Sequence, residues 1–477
     1  MSAAANVLDL MAATSSITVA AHPPKNDVGV DDDVPGFSDD DLAARFTDRH
    51  RHDLRHVAAW GVWLIWTGAH WQRDDRLRVF DLSRQVCRDV LTEAREAGLT
   101  HNQLQRLRNR LGSAQTIYSV VRLAGSDPAH AVSVDQLDAD PWALNTPGGV
   151  VDLRTGAMHP HDPARLHTKI TAGTPRGECP LFMQFLERVQ PDPSLRDYLQ
   201  RLAGYALTGS AREHVLPFGY GTGRNGKGTL FHTLRAVLGD YAVEIAAETL
   251  METHHDRHPT ELAVFRGVRL VIGSEVDAGR RWNESRVKRL TGGDPISARY
   301  IGQDLFEFDP SHTLVIVGNN KPALRSVDEA IRARIHLIPF AVAIPEAERD
   351  TTLPERLRAE FDGILAWALA GCLDWQADGL RAPPAIVAAT SAYLDGEDAI
   401  ANWLADCTVK GGQVTLKAAH SSYRKWCEAN SVPALGRNTF ADQLRDRNLA
   451  VNRSSANATV IVGIELSGQS EGSEWSR

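Results

Sequence analysis

Lysine is scarce in this sequence, with eight residues against 44 arginines in a chain of 477. Such a skew follows codon bias and carries no function by itself, but it turns each remaining lysine into a position where an ammonium was required. Cysteine is almost as sparse. Cys87, Cys179, Cys372, Cys407 and Cys427 stand far apart with no C-x-x-C pair, which excludes a zinc ribbon and a disulfide framework and fits a reducing compartment. No apolar run approaches the roughly 18 residues of a spanning helix, and no Lys or Arg precedes the first apolar residues. The expectation is therefore a chain without membrane contact, working in the cytoplasm. A 43% hydrophobic and 23% charged composition is that of a globular protein, long enough for about three domains. The net charge of −8 does not exclude nucleic acid, because binding follows where cations cluster.

Residues 1–37 are Ala/Ser-rich, then acidic, and hold no helical or strand period; they read as a disordered tail. An α/β domain is expected over 38–180. It opens at Ser38, a helix cap followed by Leu42 and Phe46. A Trp-rich hairpin spanning Trp60 to Trp71 follows, better explained as core than as a base-stacking surface. Two short strands around Pro147-Gly148 come next, and no catalytic constellation precedes residue 200. Helices at 182–190 and 194–209 lead into a segment ending near 345; 346–396 reads as a helical lid or linker, with one helix expected over Leu353 to Gln376. The last unit, 397–477, has the pattern helix, helix, hairpin, which is that of a winged-helix domain.

One motif dominates. Gly221-Thr222-Gly223-Arg224-Asn225-Gly226-Lys227-Gly228-Thr229 fits G-x-x-x-x-G-K, with an apolar strand before it and an amphipathic helix after it. In that context glycines let backbone N–H groups turn inward around a phosphate, the helix offers its positive end, and the lysine reaches the terminal oxygens. Gly221, Gly223, Asn225, Gly226, Lys227, Gly228 and Thr229 are the nucleotide-binding candidates. Gly228 stands where a Mg²⁺-binding hydroxyl is usual, so Thr229 or water must serve. Pro217 also sits within the expected strand, where it gives up a ladder hydrogen bond.

Downstream, Arg269 to Asp277 reads as a buried strand ending in Glu275 and Asp277, acids able to hold Mg²⁺ and polarise a water. His312 to Gly318 is a second such strand, tipped by Asn319 at the expected ligand crevice. Arg332 and Arg334 precede a third. Between 280 and 299 six cations face two acids, and between 410 and 453 eight face three. The DNA-binding candidates are Lys288, Arg289 and Arg299 in the first group, and Arg437 and Arg445 in the second.

The ordered segments G-T-G-R-N-G-K-G-T, R-L-V-I-G-S-E-V-D, V-K-R-L-T-G-G-D-P-I-S-A-R, V-I-V-G-N-N-K-P and D-E-A-I-R-A-R-I-H-L-I-P-F together resemble the superfamily 3 helicases. Within these they resemble the phage/plasmid primase–helicase family, related to the poxvirus primase–helicase. The resemblance is strong over about 200–342 and weaker over 38–174. It implies a modified AAA+ ATPase using ATP and Mg²⁺, assembled as a homo-oligomeric ring, usually a hexamer, that moves on single-stranded DNA. Carried over by position, Lys227 is the loop lysine, Glu275 the catalytic acid, Asn319 the sensor amide and Arg334 the finger reaching a neighbour's site, with Arg332 its rival. The chain departs from the family where Gly228 replaces a common serine, Ser274 one of two common acids, and Ala333 separates the arginines. The winged-helix unit would add contacts to duplex origin DNA. With no zinc-binding cysteine set and no D-x-D catalytic block, primer synthesis is not expected of this chain. Two other readings stay open from the residues alone: a small phosphotransferase, whose G-K-G-T ending is similar, and an ATP-binding DNA initiator without helicase activity.

Overall fold

The computed structural model describes residues 37–252, 260–274, 279–300, 304–324, 327–430, 432, 434–453 and 458–467. The expected tail, except Phe37, and the acids Glu275 and Asp277 lie outside these. Among the described residues no helix is long and apolar enough to cross a membrane.

The first unit begins with α1 (Asp39–His50). Ser38 Oγ accepts from the Asp41 N–H at 3.0 Å while the Asp41 carboxylate accepts from the Ser38 N–H at 2.9 Å, a reciprocal cap that satisfies two otherwise orphaned donors. An antiparallel sheet of β1 (Leu54–Val57), β2 (Val62–Trp66) and β3 (Trp71–Arg73) follows, then α2 (Arg78–Glu96), α3 (His101–Leu111) and α4 (Ala114–Ala124). Trp63 and Trp71 are buried, Trp63 edge-on to Phe46 at 6.1 Å, so these tryptophans fill the core. A second small sheet, β4 (Ala143–Thr146), β5 (Gly149–Asp152) and β6 (Met158–His159), leads to α5 (Pro180–Val189) and α6 (Pro193–Tyr205).

The central unit is a five-stranded parallel sheet. Its elements run in chain order as β7 (Leu216–Tyr220), α7 (Lys227–Leu238), β8 (Ala242–Ala246), α8 (Thr260–Ala263), β9 (Leu270–Ser274), α9 (Glu284–Thr291), a hairpin of β10 (Ile296–Ala298) and β11 (Phe306–Phe308), β12 (Thr313–Gly318), α10 (Glu329–Arg334) and β13 (Ile335–Pro339). The strand order is β13-β7-β12-β9-β8. Both faces are covered, which is why the strands read as continuous apolar runs. Leu270, Ile272, Val315 and Val317 meet α5, α6 and α7 on one side, while Val271, Leu314 and Ile316 meet α9 and the hairpin on the other. Pro217 is tolerated because pairing with β12 starts only at Phe218.

The expected helix over Leu353 to Gln376 is two helices, α11 (Leu353–Leu357) and α12 (Phe361–Asp378), separated by a 3-10 turn at Arg358–Glu360. The break frees Glu360 to accept from the N–H groups of Leu181 and Phe182 at 3.0 and 2.8 Å, capping α5. α12 lies against α6 at backbone distance: a Cβ on Gly204 would fall 2.0 Å from the Cys372 nitrogen. After α13 (Pro384–Glu397) come α14 (Ala399–Cys407), β14 (Thr408–Thr415), α15 (Leu416–Ala429), α16 (Arg437–Asp446), β15 (Ala450–Arg453) and β16 (Thr459–Leu466). The final sheet is ordered β14-β16-β15, one strand more than the expected hairpin.

His312, at the start of β12, is buried edge-on to Phe265 at 4.8 Å, and burial pushes its pKa down to about 4. A group held neutral in the fold takes up its proton only on unfolding. Its contribution is therefore intact above the unfolded value near 6.5 and is lost as pH falls toward 4. The urea midpoint should fall between pH 7 and 5, and His312→Leu should recover about 2 kcal/mol of the loss at pH 5.

Candidate nucleotide-binding site

Tyr220 ends β7, and the chain turns over itself to start α7. Gly223, Arg224 and Gly226 take positive φ, of 45°, 56° and 80°. At Gly226 this conformation and crowding coincide, since a Cβ would meet Val189 Cγ1 at 2.4 Å. Gly221 is constrained differently: its Cβ would strike the Asn225 amide and the Phe340 carbonyl. The segment after β13 braces the loop from outside. Asn225 Nδ2 donates to Phe340 O at 2.9 Å, and Ile344 N donates to Arg224 O at 3.1 Å.

Lys227 is buried, 7% exposed. Its Nζ donates to Asn319 Oδ1 at 2.6 Å, Gly221 O at 3.1 Å and Asn225 Oδ1 at 3.3 Å. Asn319 Oδ1 also accepts from Gly223 N at 3.2 Å. The two residues expected to face one phosphate are thus in direct contact, although 92 positions apart in sequence. Burial pulls the Lys227 pKa down from its usual value, and the three oxygens around the ammonium are neutral. An anion entering here would supply the charge that they lack.

Gly228 and Thr229, both half-buried, follow Lys227 in the first turn of α7. Nothing stands within 4 Å of a Cβ placed on Gly228. Ser274, the last residue of β9, donates its hydroxyl to Glu244 Oε1 on β8 at 2.7 Å. Burial tends to raise the Glu244 pKa, but Ser274, His232 and Arg235 outweigh it and hold the carboxyl below its usual value. Sequence reading missed Glu244, whose partner lies on another strand; a lone acid in an apolar strand was the available signal.

The expected arginine fingers have partners within the chain. Arg334 Nε donates to Thr291 Oγ1 at 3.2 Å and its Nη1 to Ala330 O at 2.9 Å, while Arg332 pairs with Asp395 at 3.0 Å. Of the expected DNA-binding residues, Lys288 is ion-paired with Asp328, the cap of α10. Arg289 is exposed on α9, and Arg299 follows β10 half-buried. Arg445 pairs with Asp442 at 2.5 Å. Arg437 lines a cleft of about 570 Å³ with Lys417, Arg424 and Lys425; these three were counted in the sequence only as charge.

Residues 43–191 match a family described as D5 N terminal like, and 219–334 match a family of unknown function. The candidate helicase 022R of Frog virus 3 (isolate Goorha) is 27% identical over 279 residues, 54% of this chain and 29% of that protein. The candidate helicase L207/L206 of Acanthamoeba polyphaga mimivirus is 25% identical over 323 residues, 62% and 34% respectively. The chain thus carries a D5 N terminal like region over residues 43–191 and is similar to viral proteins named as helicases. It spans about a third of the length of these two relatives. The solved C-terminal region of NrS-1 is similar with a TM-score of 0.47 and 12% identity, over 88% of this chain and 98% of that one.

The loop glycines should respond oppositely to alanine. Gly226→Ala should cost about 1–3 kcal/mol through strain and overlap with Val189. Gly228→Ala, on an open helix face, should be neutral or stabilising by up to about 1 kcal/mol. Urea melts of the two variants measure the contrast.

Proposed function

We propose that this chain is an ATP-dependent DNA helicase or translocase of phage or prophage replication, hydrolysing ATP at the loop 221–229. The observation that carries the reading is the 2.6 Å contact between Lys227 Nζ and Asn319 Oδ1, which joins the phosphate-loop cation to the amide at the tip of the neighbouring strand. The order β13-β7-β12-β9-β8 supports a modified AAA+ core over 181–345. The succession α15, α16, β15, β16 supports a winged-helix unit over 397–477, with 38–180 preceding the motor and 346–396 forming the helical lid.

In this mechanism the backbone of Gly221 to Gly228 and the positive end of α7 hold the phosphates, and Lys227 exchanges neutral oxygens for the β/γ oxygens. Asn319 orients the attacking water. Glu275 polarises it. The open face at Gly228 leaves room for a hydrated Mg²⁺, which Thr229, Glu275 and Asp277 would hold and which would neutralise charge developing on the transferred phosphate. In a hexameric ring Arg334, or Arg332, must leave its own subunit's partner to reach the neighbouring nucleotide, so finger engagement is coupled to movement of α10. Single-stranded DNA would meet Lys288, Arg289 and Arg299, and duplex origin DNA would meet Arg437 and Arg445.

ATP turnover should rise when single-stranded DNA is added and vanish in Lys227→Ala, and the protein should displace strands from 5′- or 3′-tailed duplexes. Transfer of phosphate to a nucleotide acceptor instead of water would replace this reading with a phosphotransferase. Nucleotide binding without turnover would leave a DNA-binding initiator.

A further inference from the structure

Glu244, on the edge strand β8, lies between α7 and the end of β9. Its Oε1 accepts from Ser274 Oγ at 2.7 Å and lies 3.4 Å from His232 Nε2, while Oε2 accepts from Arg235 Nη1 at 2.8 Å. Gly228, His232 and Arg235 fall on one face of α7, at i, i+4 and i+7. Helical side chains lean toward the N-terminus, so the His232 side chain leans back toward the turn that starts at Gly228, yet nothing lies within 4 Å of where a Gly228 Cβ would stand. One carboxylate oxygen therefore faces the loop end of α7, and the other is held away from it by Arg235. Ser274 is level with Val317 of β12 and, through it, with Gly219 of β7, next to the strand ends from which the loop departs.

We propose that Glu244 is a carboxylate for the divalent cation of a nucleotide bound in the loop, accepting hydrogen bonds from cation-bound water in the space over Gly228. Ser274 and Arg235 fix its orientation. This rests on the nucleotide-binding reading above and deepens it. The residue after Lys227 offers no hydroxyl, and Mg²⁺ keeps several waters and favours one or two carboxylates beside phosphate oxygens. A carboxylate anchored by the last residue of β9, against the face of α7 that carries Gly228, would supply what Gly228 lacks. If Glu244 only fastened β8 to α7, its charge would not affect metal binding.

The test is Mn²⁺ titration of the full chain, read as the free-ion electron paramagnetic resonance signal in the presence of ADP, beside binding of fluorescent ADP in EDTA. Glu244→Gln keeps the size and the acceptor for Ser274 but loses the charge. It should weaken Mn²⁺ about 10-fold or more while leaving metal-free ADP affinity unchanged. Gly228→Ser added to this variant should restore part of the loss, because it places a hydroxyl directly after the lysine. Unchanged Mn²⁺ affinity in Glu244→Gln, with ADP still bound, overturns the proposal and leaves the nucleotide site standing. Absence of ADP binding to the unaltered protein overturns both. Should Glu244→Gln fail to fold, Ser274→Ala carries the decision, with weaker Mn²⁺ binding expected and unchanged binding overturning the assignment.

Discussion

The ammonium of Lys227 sets the terms for everything around it. A buried cation without an anionic partner costs several kcal/mol unless dipoles compensate, and three oxygens from three different places do so: the start of the loop, its middle and the tip of β12. Each must be held. Gly221 has no side chain because Asn225 and Phe340 occupy that volume, and Asn225 in turn is fixed by the Phe340 carbonyl. The loop is therefore built by the segment after β13 as much as by its own glycines. The arrangement satisfies the ammonium geometrically and leaves its charge uncompensated, which is the electrostatic condition for a phosphate site.

The sheet supplies the framework that this cage requires. β7 lies between β12 and β13, so the strand that launches the loop has the Asn319 strand on one side and the Phe340 brace on the other. Chain connections leave β7 toward β8 and return past it to β13, and the crevice between oppositely directed connections is where open parallel sheets bind ligands. Rigidity below the crevice comes from close packing. α12 meets α6 through Gly204 and Gly371, each with backbone atoms of the other helix where a side chain would go, and Arg269 at the base of β9 is buried against the carbonyls of Leu207 and Ala143. That arginine ties the first strand of the second small sheet to the start of the strand that ends in Ser274.

Local signals were legible in the sequence and remote partnerships were not. The phosphate loop, the cap at Ser38 and the asparagine tipping β12 all announce themselves within a few residues. The break between α11 and α12 does not, because its cause is Glu360 capping a helix 178 positions earlier. β14 escaped notice because Gly411 and Gly412 interrupt it, at a register irregularity between Lys410 and Gln413. Lys288 and Arg445 were read as DNA-binding cations and Arg334 as a finger for a neighbour's site, and each has an intramolecular partner. A cation's sequence context gives its sign, whereas its availability depends on acids and carbonyls brought in by the fold. Glu244 shows the converse, an acid whose significance appears only once β8 and β9 are neighbours.

Availability also reorders the C-terminal cations. Arg447 is committed to Asp398, the cap of α14, through two bonds at 2.7 and 2.9 Å, and Arg445 to Asp442. Both pairings occupy the end of α16. Lys417, Arg424, Lys425 and Arg437 line one exposed cleft with a single acid, Glu428, and make no ion pair among the described residues. Unpaired cations retain most of their potential for a polyanion, while paired ones must first be separated from their partners. A chain with eight more acids than cations thus presents a concentrated positive surface on α15 and at the start of α16. Counterion release would make binding of any polyanion to that surface steeply dependent on salt.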